Sequence, residues 1–162
     1  MAARNDDGPN KQEDAMPDLQ TLIDERAIYR QLCRFAEAMD EREWHKLDDV
    51  MLEDAEADYG IGRRIGRAAI VAEMRSFLDD CGPTQHLLAN VRIDVNGDQA
   101  RSSAYVADMH VGTGDRAHLI FRTLGGYRDR WVRTDAGWRM AERIKDNRAH
   151  VGDISVLGPG PR

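Results

Sequence analysis

The sequence is poor in cysteine and lacks any long apolar run. Its two cysteines, Cys33 and Cys81, lie in no CxxC or histidine-cysteine spacing, so they are expected to be free thiols rather than zinc ligands. No stretch approaches the roughly 20 apolar residues that a membrane-spanning helix needs. The amino-terminus has no apolar secretory core. A cytoplasmic protein with no membrane partner is therefore expected.

Positive charge is also scarce relative to negative charge. The 162 residues include 23 lysines and arginines against 29 aspartates and glutamates, giving a formal net charge of −6, and the pI is about 5.4. The basic residues are interspersed with acidic ones. Because phosphate binding needs clustered positive potential, nucleic acid is not an expected partner.

Two polar ends flank what is expected to be a single domain. Residues 1–17 carry almost no large apolar side chains and cannot repay the entropy of ordering, so a flexible tail is predicted there. Residues 151–162 are rich in glycine and proline and are predicted to form a second tail. Residues 18–150 are enough for one domain with a real core and a pocket.

The first half of the domain shows helical periodicity. From Leu19 to Met39 the apolar side chains recur at helical spacing, with Thr21 and Asp24 placed as a weak capping box. A shorter helix between residues 44 and 51 and then one strand are predicted next. A third helix begins after Gly66 and is ended by a Cys-Gly-Pro sequence.

The second half of the domain is mostly strand. Residues 84–111 are predicted to form a hairpin about the turn signal Asn96-Gly97, and two further strands are predicted at 119–131 and 138–148. Helices first and antiparallel strands afterwards indicate an α+β fold. In such a fold the helices pack on one face of a curved sheet.

Asp40 and His86 are the strongest candidates for chemistry. Asp40 ends the first helix and His86 opens the first long strand, so a carboxylate and an imidazole are expected to meet at a helix-sheet junction. A histidine oriented by a buried aspartate is a common general base near neutral pH. From the residues alone, a solvated helix end for Asp40 and a structural role for His86 stay open.

Five short motifs occur in an order that is typical of a known family. They are residues 38–44 at the first helix junction, Asp54-Ala55 before a strand, Gly66 before the third helix, Gln85-His86 at the start of the long strands, and residues 135–138 before the last strand. Over roughly residues 19–148 the chain resembles the SnoaL-like branch of the nuclear-transport-factor-2-like superfamily. Its pattern is similar to those of scytalone dehydratase, hexachlorocyclohexane dehydrochlorinase and bile-acid dehydratase.

The resemblance implies a conical α+β barrel around a deep apolar pocket. It also implies an enzyme that eliminates water or HCl without a cofactor, using Asp40 and His86 for proton transfer. Tyr59 matches a tyrosine that helps hold the leaving water, and His110 matches a second pocket histidine. Arg143 matches a pocket arginine that could receive developing negative charge.

A substrate-binding set is expected around these five catalytic candidates. It comprises Phe35, Met39, Asn90, Val106, Asp108 and Tyr127. Met39 stands where scytalone dehydratase has a tyrosine, and Tyr127 replaces an asparagine of that enzyme. The expected substrate is therefore a small hydrophobic molecule other than scytalone, such as a polyketide, a steroid, a terpenoid alcohol or an aromatic compound.

Other interpretations of the same residues stay open. Tyr59 and Tyr127 fit equally well as core aromatics with hydrogen-bonded hydroxyls. Arg143 fits equally a solvated charge ladder with Glu142 and Lys145.

A metal site is a further alternative. Asp108 and His110 are two residues apart on one strand and point to the same face, so with His86 they could bind iron or zinc. The resembling enzymes need no metal, and no metal or cofactor is expected here.

The predicted function is a cofactor-independent lyase that dehydrates, or otherwise eliminates from, its substrate. His86 would remove a proton from carbon, Tyr59 and His110 would assist departure of water, and Arg143 or Tyr127 would stabilise the charge. An isomerase or a cyclase would use the same pocket. The alternative from another class is a noncatalytic protein, either the small subunit of a ring-hydroxylating dioxygenase or a ligand-binding module.

The register of the first hairpin decides whether two of these residues meet. With a two-residue loop at Asn96-Gly97, His86 and His110 would lie on opposite faces of the sheet. An odd loop or one bulge would place them on the same face. A three-residue loop is predicted.

An assembly is also predicted. The apolar set Val91, Ile93 and Val95 alternates with polar residues and is expected to lie on a sheet face that the helices leave uncovered. This face is predicted to bury a second copy of the chain. By resemblance, a trimer is favoured over a dimer.

Overall fold

The computed structural model describes residues 18–158, and the predicted tail at residues 1–17 lies outside them. The helices are α1 (Leu19–Asp40) and α2 (Arg67–Leu78). The strands are β1 (Met51–Asp58), β2 (Arg63–Ile65), β3 (Thr84–Asn96), β4 (Gln99–Val111), β5 (Ile120–Thr134) and β6 (Gly137–Gly152). Short 3-10 helices lie at Trp44–Asp49, Gly114–Arg116 and Ile154–Val156. Between residues 18 and 158, no helix combines the length and apolar character needed to cross a membrane.

The six strands form one sheet in the order β2-β1-β6-β5-β4-β3. Neighbouring strands are antiparallel except for β1 and β6, which run parallel. The helices pack on the sheet and bury a core of α1, α2 and sheet side chains between them. The predicted α+β fold, with helices on one face of a curved sheet, is therefore confirmed.

Helix α1 forms because its apolar positions repeat along one face. Ile28, Leu32 and Phe35 on this face are fully buried, and burial of each side chain of this size stabilises the fold by roughly 1.5–3 kcal/mol. The helix is capped by Asp18, whose side chain accepts a hydrogen bond from the Thr21 backbone N–H at 2.7 Å. The predicted capping role of Asp24 is therefore wrong.

Asp24 instead anchors α1 to the last hairpin of the sheet. Its carboxylate accepts hydrogen bonds from Arg133 Nη1 and Nη2 at 2.8 and 2.6 Å and from Trp138 Nε1 at 3.0 Å. The hydrogen bonds from Arg133 outweigh burial and lower the pKa of Asp24 to about 2.

The short second helix differs from the prediction. Trp44–Asp49 is a 3-10 helix, and Met51 already begins β1. The short strand β2, which pairs with the end of β1, was not predicted. Three residues are too few for a periodicity to be visible in the sequence.

The hairpin of β3 and β4 places His86 and His110 on one face by an unexpected route. Asn96 pairs with Gln99, so the loop has two residues, and the predicted three-residue loop is wrong. The register then shifts between Ala89 and Arg92, where Asn90 has a φ of 50°. This bulge reverses the alternation of side chains along β3, so His86 pairs with Asp108. His110 lies two residues after Asp108 on β4 and therefore points to the same face as His86.

The same bulge changes which apolar side chains face outward. Val91, Ile93 and Val95 are half-buried against the core beneath α1, so their predicted role in burying a partner is wrong. The opposite face of the sheet exposes other large apolar side chains. They are Leu87, Tyr105, Met109, Ile120, Leu124 and Val151, with exposures between 39 and 69%.

Self-association stays a prediction, and this outer face is where we now expect it. Leu87, Ala107 and Leu124 are neighbours in one row across three strands, which makes the apolar surface continuous. We expect wild-type protein at micromolar concentration to exceed the mass of one chain in light scattering, with a trimer favoured. Leu124→Glu should dissociate it, while Ile65→Glu, an exposed substitution on β2, should not. A monomeric wild type would contradict the prediction.

The carboxyl-terminal segment differs from the predicted tail at 151–162. Strand β6 continues to Gly152, which pairs with Phe121, and the following turn buries Val156 completely. The Gly158 N–H donates a hydrogen bond to the Phe77 carbonyl at 2.8 Å. These contacts pack the segment against the end of α2. Residues 159–162 lie outside the described residues.

Candidate active site

Asp40 and His86 are in direct contact where α1 ends against β3. His86 Nδ1 lies 2.7 Å from Asp40 Oδ1, and the His86 backbone N–H donates a hydrogen bond to Asp40 Oδ2 at 3.0 Å. The carboxylate is thus held through both oxygens. When Asp40 accepts the proton of Nδ1, the neutral imidazole presents an unprotonated Nε2, which is the form that acts as a base.

Arg42 and Thr84 fix the orientation of this pair. The Thr84 hydroxyl donates a hydrogen bond to Asp40 Oδ1 at 3.2 Å and accepts one from Arg42 Nη1 at 2.8 Å. The same guanidinium donates to the backbone carbonyls of Leu78 and Asp40 at 2.8 and 3.1 Å. Arg42 therefore ties the ends of both helices to the start of β3. Neither residue was singled out from the sequence, although Thr84 lies two positions before His86 on the same strand face.

A cavity of about 370 Å³ adjoins the pair. Its walls are mostly apolar, which is typical of a site for a small organic molecule. The apolar lining includes Met39, Met74, Phe77, Leu78, Phe121 and Leu157. His86, Asp108, His110 and Lys145 supply polar groups.

Asp108 and Lys145 form an ion pair on the cavity wall. Lys145 Nζ donates to Asp108 Oδ2 at 2.7 Å, and Asp108 Oδ1 accepts from the Thr123 hydroxyl at 2.6 Å and the Thr123 N–H at 3.1 Å. Burial opposes ionisation of Asp108, but the charge and hydrogen bond of Lys145 outweigh it and keep the pKa of Asp108 below its usual value. The alternative of a solvated charge ladder that includes Lys145 does not fit this placement.

His110 lies beside the pair but is not hydrogen-bonded to it. Its ring meets that of His86 edge to face, with 5.6 Å between centroids, and its Nδ1 lies 3.3 Å from the Phe121 carbonyl oxygen. Burial lowers the pKa of His110 to about 4, and the attraction of Asp108 opposes this only in part. His110 is thus neutral near pH 7.

The lowered pKa of His110 predicts an acid-dependent loss of stability. In the unfolded chain the imidazole takes up a proton below about pH 6.5, whereas the folded protein resists protonation until about pH 4. Stability should fall by up to about 3 kcal/mol from this residue as the pH drops across that interval. We expect His110→Gln to lose less unfolding free energy than wild type between pH 7 and pH 5 in urea titrations. Equal losses would refute the buried neutral histidine.

Arg143 does not reach the cavity. Its side chain is fully buried, and Nε and Nη2 donate to the two carboxylate oxygens of Asp129 at 2.7 and 2.9 Å. The guanidinium lies between the rings of Phe35 and Tyr127, 4.2 and 4.0 Å from their centroids. Burial disfavours its charge, but the pairing with Asp129 outweighs this and raises the pKa of Arg143. Both the predicted catalytic role and the charge-ladder interpretation are inconsistent with this placement.

The two candidate tyrosines line the cavity. The Tyr59 hydroxyl lies 3.6 Å from Met74 Sδ, and Tyr127 lies on the wall beside Arg143. Burial raises the pKa of each hydroxyl, with Arg143 opposing, so both are protonated donors near neutral pH.

The expected substrate-binding set divides in two. Met39, Asp108 and Tyr127 line the cavity. Phe35 packs against Arg143 instead, and Val106 is buried without being part of the lining. Asn90 lies within the bulge between Ala89 and Arg92, where its side chain is exposed and outside this cavity.

Glu73 is a cavity residue that the sequence did not reveal. It lies on α2, is only 3% exposed, and its Oε1 is 2.7 Å from Arg64 Nη2. Burial raises the pKa of Glu73, and the charge of Arg64 opposes this. The sequence offers no signal for its burial, because charged residues on a helix are usually exposed to solvent.

The metal alternative does not fit the arrangement of the donors. Within residues 18–158, no group of three histidine, cysteine, aspartate or glutamate side chains is placed to hold a metal ion. Asp108 is engaged by Thr123 and Lys145, and His110 Nδ1 faces a backbone carbonyl.

The fold and the cavity define a small α+β cone with acid-base groups on the wall of an apolar pocket. The chain belongs to the SnoaL-like domain family, which matches residues 20–144, so the resemblance is confirmed. An uncharacterized protein of Mycobacterium tuberculosis H37Rv is 32% identical over 126 residues, which cover 76% of this chain and 85% of that protein.

Solved structures show the same fold. A candidate aromatic ring hydroxylase from Novosphingobium aromaticivorans is 26% identical, with a TM-score of 0.75 over 83% of this chain and 96% of its own. A candidate scytalone dehydratase from the same species is 24% identical, with a TM-score of 0.70 over 81 and 88%. The hexachlorocyclohexane dehydrochlorinase LinA type 2 is 19% identical, with a TM-score of 0.75 over 85 and 93%.

Proposed function

We propose that the protein is a cofactor-independent lyase that eliminates water from a small hydrophobic substrate. The observation that carries the proposal is the contact of Asp40 with His86 Nδ1 at 2.7 Å, with His86 on the wall of an apolar cavity. The dehydratase and dehydrochlorinase names of structural neighbours support this class of reaction.

The chemistry begins with His86 as the general base. Its Nε2 takes a proton from a carbon next to an activating group, and Asp40 stabilises the imidazolium that forms. The electron pair of the broken C–H bond then forms the double bond as the hydroxyl group leaves. The imidazolium returns its proton to the departing oxygen, so water is released and neutral His86 is restored.

The other polar groups of the cavity hold the leaving oxygen. The Tyr59 hydroxyl is kept protonated by burial and can donate a hydrogen bond to it. His110 is neutral and supplies a second hydrogen-bonding group near His86. A positioned base of this kind typically contributes roughly 10²–10⁴-fold in rate, so the surrounding dipoles must supply the rest.

An isomerase or a cyclase would use the same base, and product analysis separates these outcomes. Purified protein is incubated in D₂O with hydrophobic β-hydroxy ketones and, separately, with β,γ-unsaturated ketones, and the products are followed by mass spectrometry and NMR. Loss of water that depends on the protein is expected. Deuterium incorporation with a shifted double bond, or ring closure without loss of water, would replace the proposal by those reactions. Co-purification with a large iron-containing chain and no turnover would favour the noncatalytic alternative.

A further inference from the structure

Lys145 is a cation on the cavity wall that the proton transfer described above does not use. Its side chain is 12% exposed, and within the described residues its hydrogen bonds go to Asp108 Oδ2 at 2.7 Å and the Thr123 hydroxyl at 3.2 Å. An ammonium group has three N–H donors. Two are directed at these partners, so one is left for a group that enters the cavity.

The surroundings of Lys145 favour an anionic ligand atom. Arg143 lies two residues earlier on the same face of β6, but it forms an ion pair with both carboxylate oxygens of Asp129 and does not line the cavity. Two cations, Lys145 and Arg148, line the cavity within the described residues, and the side chain of Arg148 is 53% exposed. Lys145 is therefore the cation that is largely shielded from solvent. His86 and His110 line the same cavity, and both are close to Asp108, the partner of Lys145.

We propose that Lys145 is a further catalytic residue, which receives the oxyanion formed when His86 removes the substrate proton. This inference rests on the proposed function and deepens it, since it identifies the activating group of the substrate as a carbonyl. As the C–H bond breaks, its electrons form a carbon-carbon double bond and the carbonyl π electrons move to oxygen. That oxygen accepts a hydrogen bond from Lys145 Nζ until the electrons return and expel the hydroxyl group.

Asp108 and Thr123 have a supporting part in this arrangement. Asp108 pairs with the ammonium group and directs it, and the two hydrogen bonds from Thr123 hold the Asp108 carboxylate in place. The substrate class that fits is a ketone, aldehyde or thioester with a hydroxyl group on the β-carbon. A halogenated hydrocarbon forms no oxyanion and would leave the remaining N–H of Lys145 without a partner.

Binding of a phenolate tests the assignment without any turnover. The probe is 4-nitrophenol, whose anion resembles an enolate and absorbs visible light, and 4-nitrotoluene is its uncharged counterpart. We expect the pKa of 4-nitrophenol bound to wild type to be lower than its pKa when bound to the double variant Asp108→Asn/Lys145→Met. We also expect the phenolate to bind more tightly than the toluene.

The matched variant is Asp108→Asn/Lys145→Met, which removes both charges and so leaves no buried ion unpaired. It should lose roughly tenfold or more of the phenolate affinity, as expected for one hydrogen bond to a charged group, and keep its affinity for 4-nitrotoluene. Lys145→Arg should retain most of the preference for the anion. An unchanged preference in the double variant would overturn the role of Lys145, which would then be a structural partner of Asp108.

The phenolate-binding test of Lys145 does not depend on whether the protein is a lyase. His86→Ala should leave the preference for phenolate in place, because it removes the base and not the cation. A phenolate preference that depends on Lys145, in a protein that eliminates nothing from β-hydroxy ketones, would refute the lyase and keep the oxyanion site.

Discussion

Asp40→Asn is expected to lower turnover on a confirmed substrate by roughly 10²–10⁴-fold, and His86→Ala at least as much. An asparagine amide in place of the carboxylate can donate to His86 Nδ1, so the imidazole would be held with its proton on Nε2, where the base is needed. The imidazolium would also lose its counter-charge. Steady-state kinetics measures the loss, and circular dichroism checks that the fold is kept.

Two surface substitutions provide matched controls for these variants. His118→Ala removes an exposed imidazole, and Asp115→Asn neutralises an exposed carboxylate, both in the loop between β4 and β5. Turnover should be unchanged in both. Full activity of Asp40→Asn would show that Asp40 is a structural residue at the end of α1. It would contradict the proposed role of Asp40 in proton transfer.

Arg143→Met is expected to destabilise the protein by about 3–5 kcal/mol, because it leaves the carboxylate of Asp129 buried without its counter-charge. Asp129 is 5% exposed, and its other hydrogen bond within residues 18–158 comes from the Ser102 hydroxyl at 2.9 Å. The free energy of unfolding in urea measures the effect. The cost is structural and should appear whether or not a substrate is present.

A second substitution separates charge from packing at this position. Asp129→Asn in the Arg143→Met background removes the unpaired charge and should recover part of the lost stability. What remains lost reports the contacts of the guanidinium with the rings of Phe35 and Tyr127. An Arg143→Met protein with wild-type stability but little activity would instead support the catalytic role that the sequence suggested.

The predictable part of the fold rests on long periodic segments. Helix α1 was visible because its apolar side chains recur over 22 residues, and β3 and β4 because strand alternation surrounds a glycine turn. The meeting of Asp40 and His86 followed from their places at the ends of these elements.

The register of the first hairpin could not be predicted, although the face of His86 was anticipated. The bulge at Asn90 depends on a left-handed backbone at an asparagine, a residue that tolerates this conformation but does not require it. A change of one residue reverses every side chain beyond it, so Val91, Ile93 and Val95 were assigned to the wrong face.

The sequence also predicts the wrong cation for the cavity, Arg143 instead of Lys145, and the reason is related. Arg143 and Lys145 lie on the same face of β6, and alternation alone does not tell which of them is buried in the core and which lines the cavity. Asp129 pairs with Arg143 across β5 and β6, and this cross-strand partner decides that Arg143 is structural. A contact between strands that are paired only in the folded sheet leaves no local pattern in the sequence.

The central claim is that Asp40 and His86 act as one proton-transfer unit, and proton exchange at carbon tests it most directly. Deuterium incorporation from D₂O into a confirmed substrate or its product is measured for wild type, Asp40→Asn, His86→Ala and the double variant. One unit predicts that the double variant is scarcely slower than the slower single variant. Losses that multiply in the double variant would show that the two residues act independently and would contradict the account.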